Sequence, residues 1–330
     1  MKILGIETSC DETAAAVVED GTRILSNIVA SSQALHAKYG GIIPEKAARE
    51  QVKAIVPVIR EALTTADLSP KDLDAVAVTF GPGLIGSLLI GTETAKTLVL
   101  AWDKPLIPVN HLLGHIYANW LNGNRPELPA VVLLVSGGHT ELILMSDHGR
   151  FKYLGGTLDD AAGECFDKSA RLLGLGYPGG PAIEKAALKV RREQKTVNSQ
   201  RLPRPMINEK NFDFSFSGLK TAVANASQHV LNKNLLALEL EEAVSDVLVK
   251  KTLTAVEKYR GKSLLLAGGV AANQRLRKKM KSEIEKLQIE FYVPEVKWCT
   301  DNAAGIASAA FFNYRPVNPS EVNADPSLSL

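Results

Sequence analysis

His111 and His115 stand four residues apart in PVNHLLGHIYANW, a stretch patterned as a helix. At that spacing two imidazoles share one helix face, the geometry that chelates a single divalent ion. The spacing alone permits three readings: the metal clamp of a protease, the clamp of some other enzyme, or two histidines in a packed helix. With six histidines in 330 residues, packing leads until a third ligand is found. None lies nearby. The best distant one is Asp301 in WCTDNAA, where the strand-like run IEFYVPEV gives way to an acid in a loop. Two histidines and a carboxylate with open positions suit iron(II) or zinc. The protease reading has a specific defect, because H-E-x-x-H enzymes keep a glutamate beside the first histidine as general base. That position is Leu112 here.

The other chemistry-bearing stretches are turns. ETSCDET sets Glu7, Asp11 and Glu12 in and just after the first turn, where they are either solvated or aimed at a ligand. In VSGGHT a buried strand runs into Ser136, Gly137 and Gly138, which let a ligand approach the backbone. LLLAGGVAAN ends a strand in Gly268 and Gly269 before Asn273 opens a helix, so backbone N–H groups face whatever sits there. GPGLIGSLLIGT resembles a phosphate loop superficially, but no lysine follows its later glycine. Gly81, Gly83 and Gly86 therefore read as a closely packed strand–helix joint. LDDAAGECFDK opens a helix with Asp160, Glu164, Asp167 and Lys168. Asp167 and Lys168 equally fit a surface ion pair of little energetic weight.

The elements that must position these residues follow from periodicity. KILGIET, TAAAVVED and RILSNIVAS read as a three-stranded meander, followed by a helix from Pro44 to about Ala66 and a strand LDAVAVTFG. A helix from about Ser87 to Trp102 and a strand PLIPVN lead to the histidines. The pattern then restarts in AVVLLVSGGHTELILMSDHGRFKYLGGT, again strand, polar turn, strand, turn, strand. Such a duplication predicts two α/β lobes facing each other, with ligand where their turns converge. The expected lobes are residues 1–110, completed by a helix over 302–315, and residues 111–301, with a helical insertion around 180–260. Residues 316–330 are rich in Pro, Ser and Asn and are expected to be disordered.

Composition excludes several classes. Apolar residues make up 45% and charged residues 22%, ordinary for a globular protein, and no run of 18 apolar residues predicts a membrane span. The start shows no signal-peptide cleavage pattern, so a cytoplasmic location is expected. Cys10, Cys165 and Cys299 fit neither a disulfide framework nor a cysteine zinc site. A net charge of +2 is low for a chain that holds nucleic acid alone. KVRREQK, Arg201 and Arg204 are the local basic groups that could touch RNA, or equally a solvated helix face.

GIETSCDETA, GGIIPEKAAR, GPGLIGSLLIG, NHLLGHIYA, VSGGHTEL, GECFDKSARLLGLGYPGGP, FDFSFSGLKTA, GGVAANQRLR and CTDNAAGIA occur in this order from residue 3 to about 310. Jointly they resemble the tRNA threonylcarbamoyltransferase (TsaD) family, once labelled a sialoglycoprotein endopeptidase. The resemblance implies the duplicated two-lobe architecture of actin, sugar kinases and heat-shock ATPases, with a ribonuclease H-like core in each lobe. It implies that His111, His115 and Asp301 hold one iron or zinc ion. It further implies that Leu134, Val135, Ser136, Gly137, Gly138, Asp167, Gly180, Glu184 and Asn273 hold an adenylate, with ATP or ADP able to occupy the same place. Asp11 matches an acid the activity needs, and Glu12 beside it is taken as a second catalytic candidate. Three positions depart from the family pattern: Glu184 stands for an aspartate, Gln51 for a histidine and Gly305 for a larger apolar residue.

The implied reaction moves threonylcarbamoyl from threonylcarbamoyl-AMP to N6 of adenosine 37, beside the anticodon, in tRNAs reading ANN codons. The implied partners are tRNA, the paralogue TsaB and the ATPase TsaE, with a TsaC-type synthase supplying the adenylate. The alternatives are a metallopeptidase and a non-catalytic ATP-binding scaffold.

Overall fold

Every residue of the strand β1 (Lys2–Glu7) after Lys2 is buried, so this strand must lie inside a sheet covered on both faces. It pairs antiparallel with β2 (Glu12–Glu19), which pairs antiparallel with β3 (Arg23–Ser31). On its other side β4 (Ala75–Gly81) and β5 (Leu106–Asn110) add in parallel, giving the order β3-β2-β1-β4-β5. In this computed structural model the described residues are 1–37, 39, 41–192, 201–228 and 232–330.

The helices α1 (Gln33–Ala37), α2 (Pro44–Thr65), α3 (Ile85–Trp102) and α4 (His111–Tyr117) belong to this sheet's unit, as does a late helix, α10 (Ala303–Phe312). Pro44 occupies the first turn of α2, where its missing N–H costs nothing. Ile55 and Ile59 of α2 and Val99 of α3 join Leu4, Ile6, Val76 and Val78 in one core cluster. α10 is apolar all round and buried from Ala303 to Ala310. It lies so close on β1 that a Cβ at Gly5 would sit 2.4 Å from the Ala303 carbonyl oxygen.

A second unit repeats the plan. β6 (Ala130–Val135), β7 (Thr140–Asp147) and β8 (Arg150–Gly156) form an antiparallel meander. β9 (Ser263–Ala267) and β10 (Glu290–Tyr292) add in parallel beside β6, in the order β10-β9-β6-β7-β8. The strand order is that of the first sheet, so the repeat read from the turns is a repeat of topology. The helices α5 (Ala162–Leu173), α6 (Gly179–Arg192), α7 (Ser217–Ser227), α8 (Lys233–Tyr259) and α9 (Gln274–Lys286) accompany it. No helix among the described residues is long and apolar enough to cross a membrane, and none of the three cysteines forms a disulfide.

Two expectations are corrected. The units are residues 1–125 with 294–330, and residues 126–293, so the boundary falls at 125 and not at 110. The histidine helix α4 belongs to the first unit because it packs against α10. Asp301 precedes α10 and belongs there too. The segment 316–330 is ordered as a strap. Val317 N donates to Leu106 O at 2.9 Å and Asp325 N to Phe80 O at 2.8 Å, while Val322 is buried in the core. Its composition suggested too little to bury, but backbone pairing with strand ends and one apolar anchor suffice.

Candidate metal centre and nucleotide-binding loops

Asn110 and Asn302 set the metal group. The Asn110 Oδ1 accepts from Leu112 N at 2.8 Å and starts α4, so His111 and His115 emerge one turn apart. Asn302 Oδ1 accepts from Ala304 N and Gly305 N, and its Nδ2 donates to Thr300 O at 2.7 Å, fixing the turn that carries Asp301. Asp301 Oδ1 then lies 3.7 Å from His111 Nε2 and 3.5 Å from His115 Nε2. One donor atom from each of the three residues falls within 4.8 Å of the others. A tetrahedral ion at ~2.1 Å from its donors sets donor–donor distances near ~3.4 Å, so the group fits one divalent cation with small adjustment.

His111 is held from behind. Its Nδ1 lies 3.0 Å from Glu7 Oε2, with Ser9 Oγ 3.1 Å away. Glu7 is 1% exposed and also accepts from Thr79 Oγ1 at 2.6 Å and Ser9 N at 2.5 Å. Burial alone would raise the Glu7 pKa, but His111 and these donors hold it well below the carboxylate range. Burial would lower His111, and the Glu7 and Asp301 carboxylates outweigh it and push the imidazole up. A carboxylate fixing the rear nitrogen of a histidine leaves Nε2 as the coordinating atom. Glu7 was legible only as one of three turn acids; an acid closing an otherwise apolar strand was the signal of its burial.

The turn from Thr8 to Glu12 is fastened from several directions. Gln51 of α2, 1% exposed, donates through Nε2 to Glu12 O at 2.9 Å and Cys10 O at 3.1 Å, and reaches Thr8 O at 3.5 Å. Ser87 Oγ donates to Cys10 O, Leu84 N to Ser9 O, and Ser32 N and Oγ to Asp11 O. A Cβ at Gly83 would sit 2.4 Å from Ser9 O, and one at Gly91 would sit 2.2 Å from Thr8 Oγ1. The glycines of GPGLIGSLLIG thus admit the acidic turn, in keeping with the close-packed reading. Burial pushes the Glu12 carboxyl up to about 7, against the Ser31 hydrogen bond and with the Asp11 and Asp301 charges. Gly305, a departure from the family pattern, bears on the metal helix directly, because a Cβ there would sit 2.2 Å from Gly114 O.

In the second unit the expected adenylate residues form one connected group. β6 and β9 run parallel, so Leu134 stands beside Ala267 and both strands end at glycine turns. Gly268, at φ +90, backs onto Val135, where a Cβ would meet the carbonyl oxygen at 2.3 Å. Leu134 and Val135 are wholly buried, so they close the strand behind the glycine turn and present no exposed atom of their own. Added Cβ atoms at Gly137, Gly138 and Gly180 would meet open space. Asp167 accepts from Gly179 N at 2.6 Å and so fixes the start of α6, which carries Gly180 and Glu184. Lys168 pairs instead with Asp160 and Glu164, at 2.6 and 3.0 Å. Glu184 Oε1 accepts from Gln274 N at 2.8 Å, and Asn273 Oδ1 from Leu276 N at 2.8 Å. Two N–H groups at the start of α9, expected to face a ligand, are therefore already bonded to side chains.

The basic candidates divide. Arg191 pairs with Glu241 and Glu242, and Arg204 with Glu239 and Asp246. These two arginines are committed to helix packing. Lys189, Arg192 and Arg201 are exposed, whereas residues 193–195 of KVRREQK lie outside the described residues.

Residues 23–308 match the family described as TsaD, tRNA N6-adenosine threonylcarbamoyltransferase. Relatives of that name from Moorella thermoacetica and Symbiobacterium thermophilum are 51% and 52% identical, each over 99% of this chain and 97% and 96% of their own lengths. The Dehalococcoides mccartyi relative is 50% identical over 100% of this chain and 99% of its own. Among solved structures, HypF from T. kodakarensis covers 94% of this chain and 48% of its own, at TM-score 0.64 and 15% identity. Component A of (R)-2-hydroxyglutaryl-CoA dehydratase from Acidaminococcus fermentans covers 95% and 98%, at TM-score 0.55 and 15% identity. These two likenesses show the fold, the two-lobe α/β architecture expected of actin-like proteins. Identity near one half along the whole length shows more, and this chain belongs to the tRNA N6-adenosine threonylcarbamoyltransferase family.

Proposed function

We propose that the chain transfers threonylcarbamoyl from threonylcarbamoyl-AMP to N6 of adenosine 37 in tRNAs reading ANN codons, in the cytoplasm. The observation that carries the site assignment is the convergence of His111, His115 and Asp301 with Glu7 fixing the rear of His111. Iron(II) or zinc bound there supplies Lewis acidity toward the carbonyl of the transferred group. An exocyclic adenine amine is a weak nucleophile, so the chain's own residues must hold it and take its proton. Asp11 steers that amine. Glu12, whose carboxyl sits at about 7, exchanges the proton near neutral pH. The N6–carbon bond forms, the bond from that carbon to the phosphate oxygen breaks, and AMP leaves. In the second unit Ser136, Gly137, Gly138, Gly180, Glu184 and Asn273 hold the adenylate at the end of the strand that Leu134 and Val135 close, and Asp167 sets the α6 start.

Leu112, 1% exposed, is no general base, which weighs against the peptidase reading. The tRNA base must leave its stack, at a cost of about a few kcal/mol. Partners share the RNA: TsaB and TsaE join this chain, and a TsaC-type synthase supplies the adenylate. Exposed apolar side chains on α2 and α3, namely Val52 (63% exposed), Val56 (65%), Ile85 (50%) and Leu89 (45%), support a protein partner. The test is to give the purified chain and its partners an unmodified anticodon-loop tRNA and threonylcarbamoyl-AMP. Modified adenosine is expected by mass spectrometry. None with the wild-type chain would overturn the transferase reading, and modification surviving His111→Ala with His115→Ala would overturn the metal assignment alone.

A further inference from the structure

Glu241 lies in α8 with no exposed surface. A buried carboxylate is costly unless its oxygens are satisfied, and an apolar residue of the same size is often as stable. Its surroundings show what the carboxylate does. Oε1 accepts from Asn273 Nδ2 at 2.8 Å, and Oε2 lies 2.7 Å from Arg191 Nη2. Arg191 closes α6, the helix that carries Gly180 and Glu184 near its other end. Glu241 thus ties α6 to the start of α9, beside the direct bond from Gln274 N to Glu184.

Asn273 has two ends that could be exchanged by rotating its amide. Oδ1 is required at Leu276 N, 2.8 Å away, to cap α9. A carboxylate opposite Nδ2 only accepts, so it enforces the same orientation. One Nδ2 hydrogen is used by Glu241, and the other is the donor left for a ligand.

We infer that Glu241 is the positioning residue of the adenylate site, holding Asn273 in a single amide orientation. This rests on the reading of Asn273 as an adenylate contact. Reach and charge can be separated by substitution. Glu241→Gln keeps an acceptor at Asn273's distance and loses the charge opposite Arg191. Glu241→Asp keeps the charge and retracts the carboxylate by one methylene.

The experiment measures AMP affinity by calorimetry on the full chain, with circular dichroism to confirm folding. Glu241→Gln is expected to bind within about threefold of wild type and Glu241→Asp about tenfold or more weakly, the scale of one lost charge-assisted hydrogen bond. In an Asn273→Ala background the two are expected to bind alike, because the route to the ligand has been removed. The KM for threonylcarbamoyl-AMP should follow the same order while kcat changes little. The reverse order, glutamine weaker than aspartate, would show a merely ionic role and overturn the inference. Equal affinities in the wild-type background would overturn it too. If Asn273→Ala itself leaves AMP binding unchanged, the reading of Asn273 fails first, a result distinguishable from the other two.

Discussion

Replacing Glu7 by glutamine isolates what the rear hydrogen bond does for the metal centre. The carboxylate now receives three donors: Ser9 N at 2.5 Å, Thr79 Oγ1 at 2.6 Å and His111 Nδ1 at 3.0 Å. Glutamine offers one oxygen and one NH2 group. If its oxygen stays with Ser9, the NH2 faces Thr79 and His111, and a neutral imidazole must carry its proton on Nε2, the atom that faces Asp301. If its oxygen faces His111, the NH2 opposes the Ser9 N–H. The second arrangement costs about 1–3 kcal/mol for a buried unsatisfied group, and the first puts a proton on the atom meant to coordinate. Removing such a rear partner typically weakens metal binding about 10–100-fold, or roughly 1.4–2.7 kcal/mol. Zinc titration against a chromophoric chelator, with urea unfolding of the metal-free chain alongside, measures both. Zinc affinity within about twofold of wild type, in a folded variant, would refute the argument that Glu7 sets the tautomer.

Gly305→Ala places a Cβ 2.2 Å from Gly114 O; forcing α4 and α10 apart should cost about 1–3 kcal/mol and weaken zinc binding, read by thermal melts and the same titration. Gln51→Leu removes the side-chain donor to the Glu12 carbonyl and leaves the Cys10 carbonyl to Ser87 Oγ, so transfer rate should fall severalfold while zinc affinity holds; a fall in zinc affinity alone would contradict this. Glu242 is 19% exposed in its side chain. Burial would raise it, and Arg275, Lys279 and Arg191 instead hold it down to about 2 from 4.5. Its folded value is depressed, so the stabilisation is present above about pH 4.5 and lost as pH falls toward 2. It amounts to about 3 kcal/mol at most. Urea midpoints of wild type and Glu242→Gln should converge across that window, and parallel curves would count against it.

What could be read in the chain was local. The meander, the Pro44 helix and the restart at Ala130 follow from periodicity and turn residues, and both sheets show it in the same strand order. The three metal candidates were found as residue types at suggestive places, and tertiary structure brings them within reach of one another. Other features depend on which surfaces meet. That Gly305 faces Gly114, that Glu7 lies buried behind His111 and that Arg191 and Arg204 are engaged by α8 acids leave no periodic trace. The 316–330 segment misled because a strap held by backbone bonds needs little apolar content; Val322 enters the core and Val317 packs against it.

The split composition of the first unit has a consequence for how the molecule is made. Residues 126–293 form a contiguous unit that can complete its own core as it leaves the ribosome. Strands β1 to β5 emerge earlier but wait for α10, whose residues Ala303–Ala310 are all buried in the finished unit. Throughout that interval the face of β1 that α10 will cover is open, a period of exposure to wrong partners. Asp301 emerges later still than the whole second unit. The His111–His115–Asp301 set is therefore completed only after residues 126–293 have been made.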